Sequence, residues 1–479
     1  MTQHDGCPIG AMPAEFESDY VAGAVAPFLL SNRYVGETPS LPMIDLALSK
    51  ENAVPAYMWG MLYDGWAPNG EQDGLTVFMQ GYENRGPNNE RKKIYVSAVT
   101  PDLIATKYRP KLIRFYDRLF ADANAGKPLM GCYFGNYYDL YWDLHVGVTG
   151  AAIPSEVRQF SAGFNGVLGF KFPTSDVVRE DYMQARATRQ ALKEWLDARV
   201  QAIVDGELPE ADSTFVYYWL KNGGQGEHFR RKDIVFECFH NFLAFSQWGN
   251  MIYHTGVLLD AQRGNPIVRA WFEKTMRNDP DQADSTITPL DRLVMELFRT
   301  VNPNAGSLST IRALQGSLAG ESSTMATPHL ASSMDPRHWL DPETFDPDRY
   351  LTAATTVDND EQRTLEAGLA RCPFPKAGFA FKDGRDGQVT NSAYGAVYGV
   401  VDGKSYPLPD TAGYAPFGFG YRRCAGEYLT MEFLKEFLRA VWSRQLTFVT
   451  LDLAAPAKVP VNPGTVLNDD IAFRRAAQA

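Results

Sequence analysis

The chain has 479 residues, 45% hydrophobic and 22% charged, which excludes a disordered or fibrous protein and allows two or three domains or one large enzyme fold. Its 57 acidic against 46 basic residues leave a net charge of −11, and no Lys/Arg cluster offsets it, so nucleic acid is not an expected partner. Cys7, Cys132, Cys238, Cys372 and Cys424 are scattered with no CxxC pair, which argues against a structural zinc site or a disulfide framework.

Residues 1–87 are weakly patterned and read as a lead-in; the folded domain is expected over residues 88–479. The longest apolar stretch near the start, Tyr20 to Ser31, contains a proline and falls short of the ~20 residues a membrane span requires. Met1 to Gly10 has neither a basic start nor an apolar run, so the expectation is a reduced, cytoplasmic protein without a secretory signal. Thr100-Pro101-Asp102 supplies an N-cap and a proline at the first helical position, opening a helix to Ala121 with Leu112, Phe115, Tyr116, Leu119 and Phe120 on one face. Gln190 to Ile203 repeats the pattern with Leu192, Trp195, Leu196 and Val200. Asp233 to Leu259 is apolar nearly all round and predicts a long buried helix. Further helices are expected over Ile267 to Met276, Pro289 to Val301 and Cys424 to Trp442. Between the last two, Thr327 to Tyr350 is too rich in Pro and Asp for one helix, and Thr352 to Gly413 reads as a loop-like insertion. The fold class is therefore mainly α with small β-sheets.

The most informative stretch runs Tyr414-Ala-Pro-Phe417-Gly418-Phe419-Gly420-Tyr421-Arg422-Arg423-Cys424-Ala-Gly426-Glu427. Glycines interleaved with aromatics lead to a cysteine at the mouth of a helix. They let the backbone turn tightly and a flat ligand approach closely. The helix start offers N–H groups and the positive end of a dipole, both of which favour a thiolate. Arg422 adds a fixed charge for an acidic ligand group. Taken alone, this suits either an iron porphyrin or a structural cysteine at a helix start.

Phe417-x-x-Gly420-x-Arg422-x-Cys424-x-Gly426 resembles the haem-ligand loop of the cytochrome P450 family at all five fixed positions. Upstream lie Glu296-x-x-Arg299, on a helix, and Phe345-Asp-Pro-Asp-Arg349-Tyr350, in the family's order. The resemblance implies a P450-like single domain and one b-type haem with Cys424 on the iron. It also implies a buried charge triad of Glu296, Arg299 and Arg349 beneath the loop. Phe417, Gly418, Arg422 and Gly426 would contact the haem. Glu90-Arg91-Lys92-Lys93-Ile94 is similar to the family's basic helix start, which assigns Lys93, with Lys92 or Arg91 as substitutes, to a propionate.

Typical members carry an acid–alcohol pair in the central helix. Counting from Asp233 places that pair at Gln247 and Trp248; counting back from Asn265-Pro266 places it at Gly249 and Asn250. The window from His240 to Thr255 contains no Asp or Glu, and Thr255 comes a turn too late in either register. An amide in this place resembles members that rearrange hydroperoxides or endoperoxides, with Asn250 as first candidate and Gln247, Asn241 and Ser246 behind it. Phe242, Leu243, Phe245, Trp248 and Met251 imply an apolar small-molecule substrate. The expected activity is a monooxygenase fed by a ferredoxin- or flavin-type donor. The alternatives are a peroxide-dependent isomerase, lyase or peroxygenase needing no donor, and a non-catalytic haem sensor.

Overall fold

A computed structural model describes residues 50–52, 94–167, 175–223, 229–282, 287–301, 307–312, 322–327, 341–351, 398–401, 404–407, 416–417, 424, 426–451 and 471–475. In chain order these form β1 (Lys50–Asn52), α1 (Arg109–Leu119), α2 (Leu129–Val146), α3 (Ser155–Val167), α4 (Ser175–Val204), α5 (Phe215–Gly223), α6 (Arg231–His240), α7 (Phe242–Leu259), α8 (Pro266–Arg277) and α9 (Pro289–Thr300). Then follow β2 (Ser307–Arg312), β3 (Ser322–Thr327), β4 (Tyr398–Val401), β5 (Lys404–Pro407), α10 (Glu427–Ser443), β6 (Leu446–Thr450) and β7 (Ile471–Arg475). Helices dominate and the sheets are small and antiparallel: β1-β2-β3, β4-β5 and β6-β7.

Local chemistry explains the boundaries. Thr100 Oγ1 accepts the Leu103 N–H at 3.4 Å with Pro101 at the first helical position. The expected helix to Ala121 is not uniform. A π-turn over Ile104–Tyr108 precedes α1, and the Arg109 N–H reaches back to the Ile104 carbonyl. Pro110 follows with no N–H for the preceding turn, which disfavours a regular α-helix there. α2 ends at Gly147, whose φ of +68° closes the helix with hydrogen bonds from Gly147 to Asp143 and Val148 to Trp142.

Two findings alter the sequence-based expectations. The long helix expected over Asp233 to Leu259 is broken: α6 stops at His240, Asn241 sits at φ −65°, ψ −11°, and α7 restarts at Phe242. Within the insertion, β4 and β5 pair as a hairpin with Val401 opposite Lys404, while its other residues lie outside those described. In the lead-in region, β1 pairs with β2, Lys50 facing Ile311.

The chain divides into two compact units. One comprises Met1–Val54, Phe78–Lys93 and Asp279–Glu427; the other comprises Pro55–Val77, Ile94–Asn278 and Tyr428–Ala479. The core of the second is an aromatic seam among α1, α2, α7 and α10. Phe115 meets Tyr133 edge-on at 5.9 Å, Tyr116 lies 5.2 Å from Phe433, and Trp248 stacks on Phe433 at 4.3 Å. Each of these rings is buried, and burial of such a side chain is worth about 1.5–3 kcal/mol. Two polar tethers run through the seam: Tyr116 Oη donates to the Phe433 carbonyl at 2.9 Å, and Trp248 Nε1 donates to Thr430 Oγ1 at 2.9 Å. α7 ends where Asp260 Oδ1 accepts from the backbone of Gln262 and Arg263, each at 2.7 Å, while its Oδ2 accepts from Thr450 on β6 at 2.8 Å.

Candidate functional site

In the first unit the site is built on α9. Thr288 and Asp291 form a capping box at its start, Thr288 Oγ1 accepting the Asp291 N–H at 3.0 Å. Glu296 and Arg299, three apart, share one face of the helix. Arg299 Nε and Nη2 donate to the two Glu296 oxygens at 2.8 and 2.7 Å, a bidentate pair with no exposure on either side chain. Arg349 Nε adds a third charged contact to Glu296 Oε1 at 3.1 Å. Tyr350 Oη and the Asp346 N–H complete the carboxylate's shell at 3.0 and 2.9 Å. Arg299 also donates to the carbonyls of Pro342 and Thr344, and Arg349 to that of Thr344. The segment 342–350, of which the sequence singles out Phe345 to Tyr350, is thus wrapped around one buried carboxylate.

That same helix meets the cysteine loop. Phe298, next to Arg299, lies 4.9 Å from the Phe417 ring, and both are buried. The Phe417 carbonyl accepts the Cys424 N–H at 2.8 Å. Cys424 stands half-exposed three residues before α10, whereas Cys132 and Cys238 are buried. A Cβ at Gly426 would lie 3.8 Å from Cys424 Sγ, an ordinary van der Waals contact, so Gly426 lies directly beside the sulfur. A soft sulfur on a half-exposed cysteine at a helix mouth fits an iron macrocycle. Arg422, Gly418 and Lys93 lie outside the described residues.

In the second unit, α6 and α7 carry the amides. Gln247 is half-buried; Asn250 is fully buried, with no surface to offer a ligand unless its neighbours move. Trp248 and Gly249, the other members of the two registers, face the core. Trp248 is held by Thr430 and Phe433, and a Cβ at Gly249 would come within 2.6 Å of the Tyr133 ring. Thr255 is buried with its hydroxyl bonded to the Met251 carbonyl one turn back, 2.8 Å away. Phe242, Phe245, Trp248 and Met251 are all buried, and contacts with Tyr141, Trp142 and Phe433 give the three aromatic ones to core packing. Amid them Ala244 is exposed, one turn after the helix break. The sequence reading passed over it, since an alanine in an apolar run carries no signal.

Asn241 is not exposed either. Its Oδ1 accepts from Tyr95 Oη at 3.2 Å and its Nδ2 lies 3.2 Å from His145 Nε2, at the core end of the break. The side chain of Ser246 is outside the described set. No helix among the described residues is long and apolar enough to cross a membrane.

No family model matches the sequence, and no curated protein matches it. Solved structures do. The haem domain of cytochrome P450DA aligns over 89% of this chain and 84% of its own at 14% identity, with a TM-score of 0.56. A cyanobacterial CYP120A1 with retinoic acid bound aligns over 94% and 87% at 15% identity, with a TM-score of 0.56. A variant of cytochrome P450 OleT in complex with arachidonic acid aligns over 97% and 96% at 14% identity, with a TM-score of 0.55. Mainly helical, with small antiparallel sheets and a half-exposed cysteine ahead of its last long helix, the chain has the cytochrome P450 fold.

Proposed function

We propose that this chain is a haem-thiolate oxidoreductase in which Cys424 holds the iron of a b-type haem and an apolar organic molecule is oxidised in a monooxygenase reaction. The observation that carries this reading is the half-exposed Cys424, whose N–H is tied to Phe417 and, through Phe298, to the helix bearing the Glu296 cluster. Bound there, an iron porphyrin with a thiolate ligand supplies activation and cleavage of an O–O bond.

The chain's own residues do the rest. The Glu296–Arg299–Arg349 cluster makes the 342–350 segment rigid, because a desolvated carboxylate with five donors has no alternative geometry of similar energy. The Phe417 carbonyl sets where the sulfur sits. Arg422 and Lys93 are assigned to the haem propionates, Arg422 by its place two residues before the cysteine. On α7, the exposed Ala244 would give a substrate a small apolar surface, and the half-buried Gln247 is the amide that would donate to an oxygen; Asn250 would act only after a local rearrangement. Retinoic and arachidonic acids, bound in two proteins of like fold, share a long apolar body, which supports an apolar substrate here. A ferredoxin- or flavin-type protein would deliver electrons.

A second reading is favoured by one specific fact: residues 240–255 hold no carboxylate, and the single threonine hydroxyl is engaged with its own helix. An enzyme that receives an O–O bond ready-made in its substrate needs no proton delivery and no electron donor. Incubation with a fatty-acid hydroperoxide and no reductant separates the two. Rapid turnover selects the peroxide reading, product formed only with a reductase and NAD(P)H selects the monooxygenase, and ligand binding without either leaves a sensor. Absence of a red-shifted Soret band in the reduced, carbon-monoxide-treated protein, or its persistence in Cys424→Ala, would refute the haem-thiolate assignment altogether.

A further inference from the structure

The break between α6 and α7 is built from a line of buried hydrogen bonds. His145 Nδ1 lies 2.8 Å from the Tyr141 carbonyl, which can only accept, so Nδ1 carries the proton and Nε2 is left as an acceptor. Asn241 must therefore present its Nδ2 to His145, 3.2 Å away, and its Oδ1 to the Tyr95 hydroxyl, also at 3.2 Å. Every donor then has an acceptor in one sequence: Tyr95 to Asn241, Asn241 to His145, His145 to Tyr141. The side chains are 6%, 4% and 0% exposed for Tyr95, Asn241 and His145. Aromatic rings enclose them, Tyr141 stacking on His145 at 4.0 Å and Trp219 on Tyr95 at 5.2 Å, with Trp219 Nε1 donating to the Tyr95 carbonyl. Burial brings the His145 pKa down to about 3, so the ring stays neutral and Nε2 keeps its lone pair.

Polar groups in so apolar a place carry a desolvation cost that leucine or phenylalanine would avoid. Their gain is uniqueness, since a directional network accepts one arrangement where an apolar contact accepts several. What it makes unique is the point at which the helix restarts. An α-helix turns about 100° per residue. A restart one residue later would rotate α7 by that angle and change the face that bears Ala244 and Gln247, which at i and i+3 are the accessible positions among the described side chains of its first two turns.

We propose that Tyr95 and His145, acting through Asn241, are positioning residues that set the register of α7 and so select Ala244 and Gln247 as its ligand-facing side chains. This rests on the reading that α7 lines the ligand site of a haem-thiolate enzyme, and the experiment has one arm that does not depend on it. The variants are Asn241→Leu, of similar size with no polar atoms; His145→Leu; His145→Gln, which keeps an acceptor; and Tyr95→Phe, which deletes one hydroxyl. The first arm is hydrogen exchange across residues 242–248 of the full chain. Asn241→Leu and His145→Leu speed exchange there about tenfold, the equivalent of one net hydrogen bond, while exchange in α10 is unchanged. His145→Gln restores it to within about twofold, and Tyr95→Phe gives a smaller rise in the same direction.

The second arm is absorbance titration of the haem-loaded protein with 4-phenylimidazole, a ligand that would bind the haem iron and respond to the shape of the ligand site. The dissociation constant rises about tenfold in Asn241→Leu and His145→Leu and recovers in His145→Gln, with the carbon-monoxide Soret position unmoved. Wild-type exchange and affinity in Asn241→Leu would overturn the proposal. So would a His145→Gln protein indistinguishable from His145→Leu, because ring packing rather than hydrogen bonding would then hold the break. A wild-type chain that takes up no haem would defeat the enzymatic reading and leave the exchange arm to decide this one. Should Asn241→Leu fail to fold, Tyr95→Phe carries the test, and wild-type exchange in that variant would count against the proposal.

Discussion

Removing the Glu296 carboxylate should be among the most damaging single changes in the chain, and restoring charge balance by a second deletion should undo much of the damage. Glu296 has no exposed surface and accepts five hydrogen bonds, three of them from Arg299 and Arg349. In Glu296→Leu, Arg299 remains a fully buried guanidinium that has lost its carboxylate, its bonds to the Pro342 and Thr344 carbonyls left in place. Breaking such a pair from one side costs about 3–5 kcal/mol, because the surviving charge stays desolvated. Deleting both partners removes that term, so Glu296→Leu combined with Arg299→Met should lose about 2 kcal/mol less than the sum of the single changes. The assay is hydrogen exchange of the α9 backbone in urea series, which reports opening of this helix whether or not the two compact units unfold together. Strict additivity of the two substitutions would refute the reasoning, since it would mean that the charges do not depend on one another.

Three further outcomes are expected. Gly249→Ala places a methyl 2.6 Å from the Tyr133 ring and should destabilise the second unit by about 1–3 kcal/mol, an effect largely absent in a Tyr133→Leu background when midpoints of denaturation are compared. Acid should weaken the fold through His145. Its folded pKa of about 3 lies below the ordinary value of ~6.5, so the unfolded chain binds the extra proton between those values, and stability is full above ~6.5 and lost as pH falls toward ~3. At about pH 4 that loss is ~3 kcal/mol, and His145→Gln should show a correspondingly shallower dependence in matched urea titrations. Thr430→Val leaves the Trp248 indole N–H in the core without its acceptor and should cost about 1–2 kcal/mol, with Trp248→Phe largely cancelling the effect in the double variant.

Features written over short stretches of chain were readable before folding. Glu296 and Arg299 had to share a helix face because they stand three apart, and α9 had to begin near Thr288-Pro289 because a capping threonine and a proline coincide there. The α10 stripe from Leu429 to Val441 has a 3.6-residue period that no strand could bury. α2 escaped notice for the opposite reason. Tyr133, Tyr137, Tyr141, Trp142 and His145 are buried on several sides at once, so no single stripe announces the helix.

The amino-acid order alone determined which groups exist to do chemistry here: one cysteine behind a glycine-rich loop, one carboxylate and two arginines upstream, and amides where a carboxylate was expected. Tertiary structure alone decided which of them are accessible. At the break in the central helix, Tyr95 and His145, 146 and 96 positions away in the chain, meet the two polar ends of Asn241. The same packing buries Asn250 and leaves Gln247 and Ala244 accessible. Exposure is a property of what surrounds a side chain, and those surroundings come from distant segments whose energies no local pattern contains.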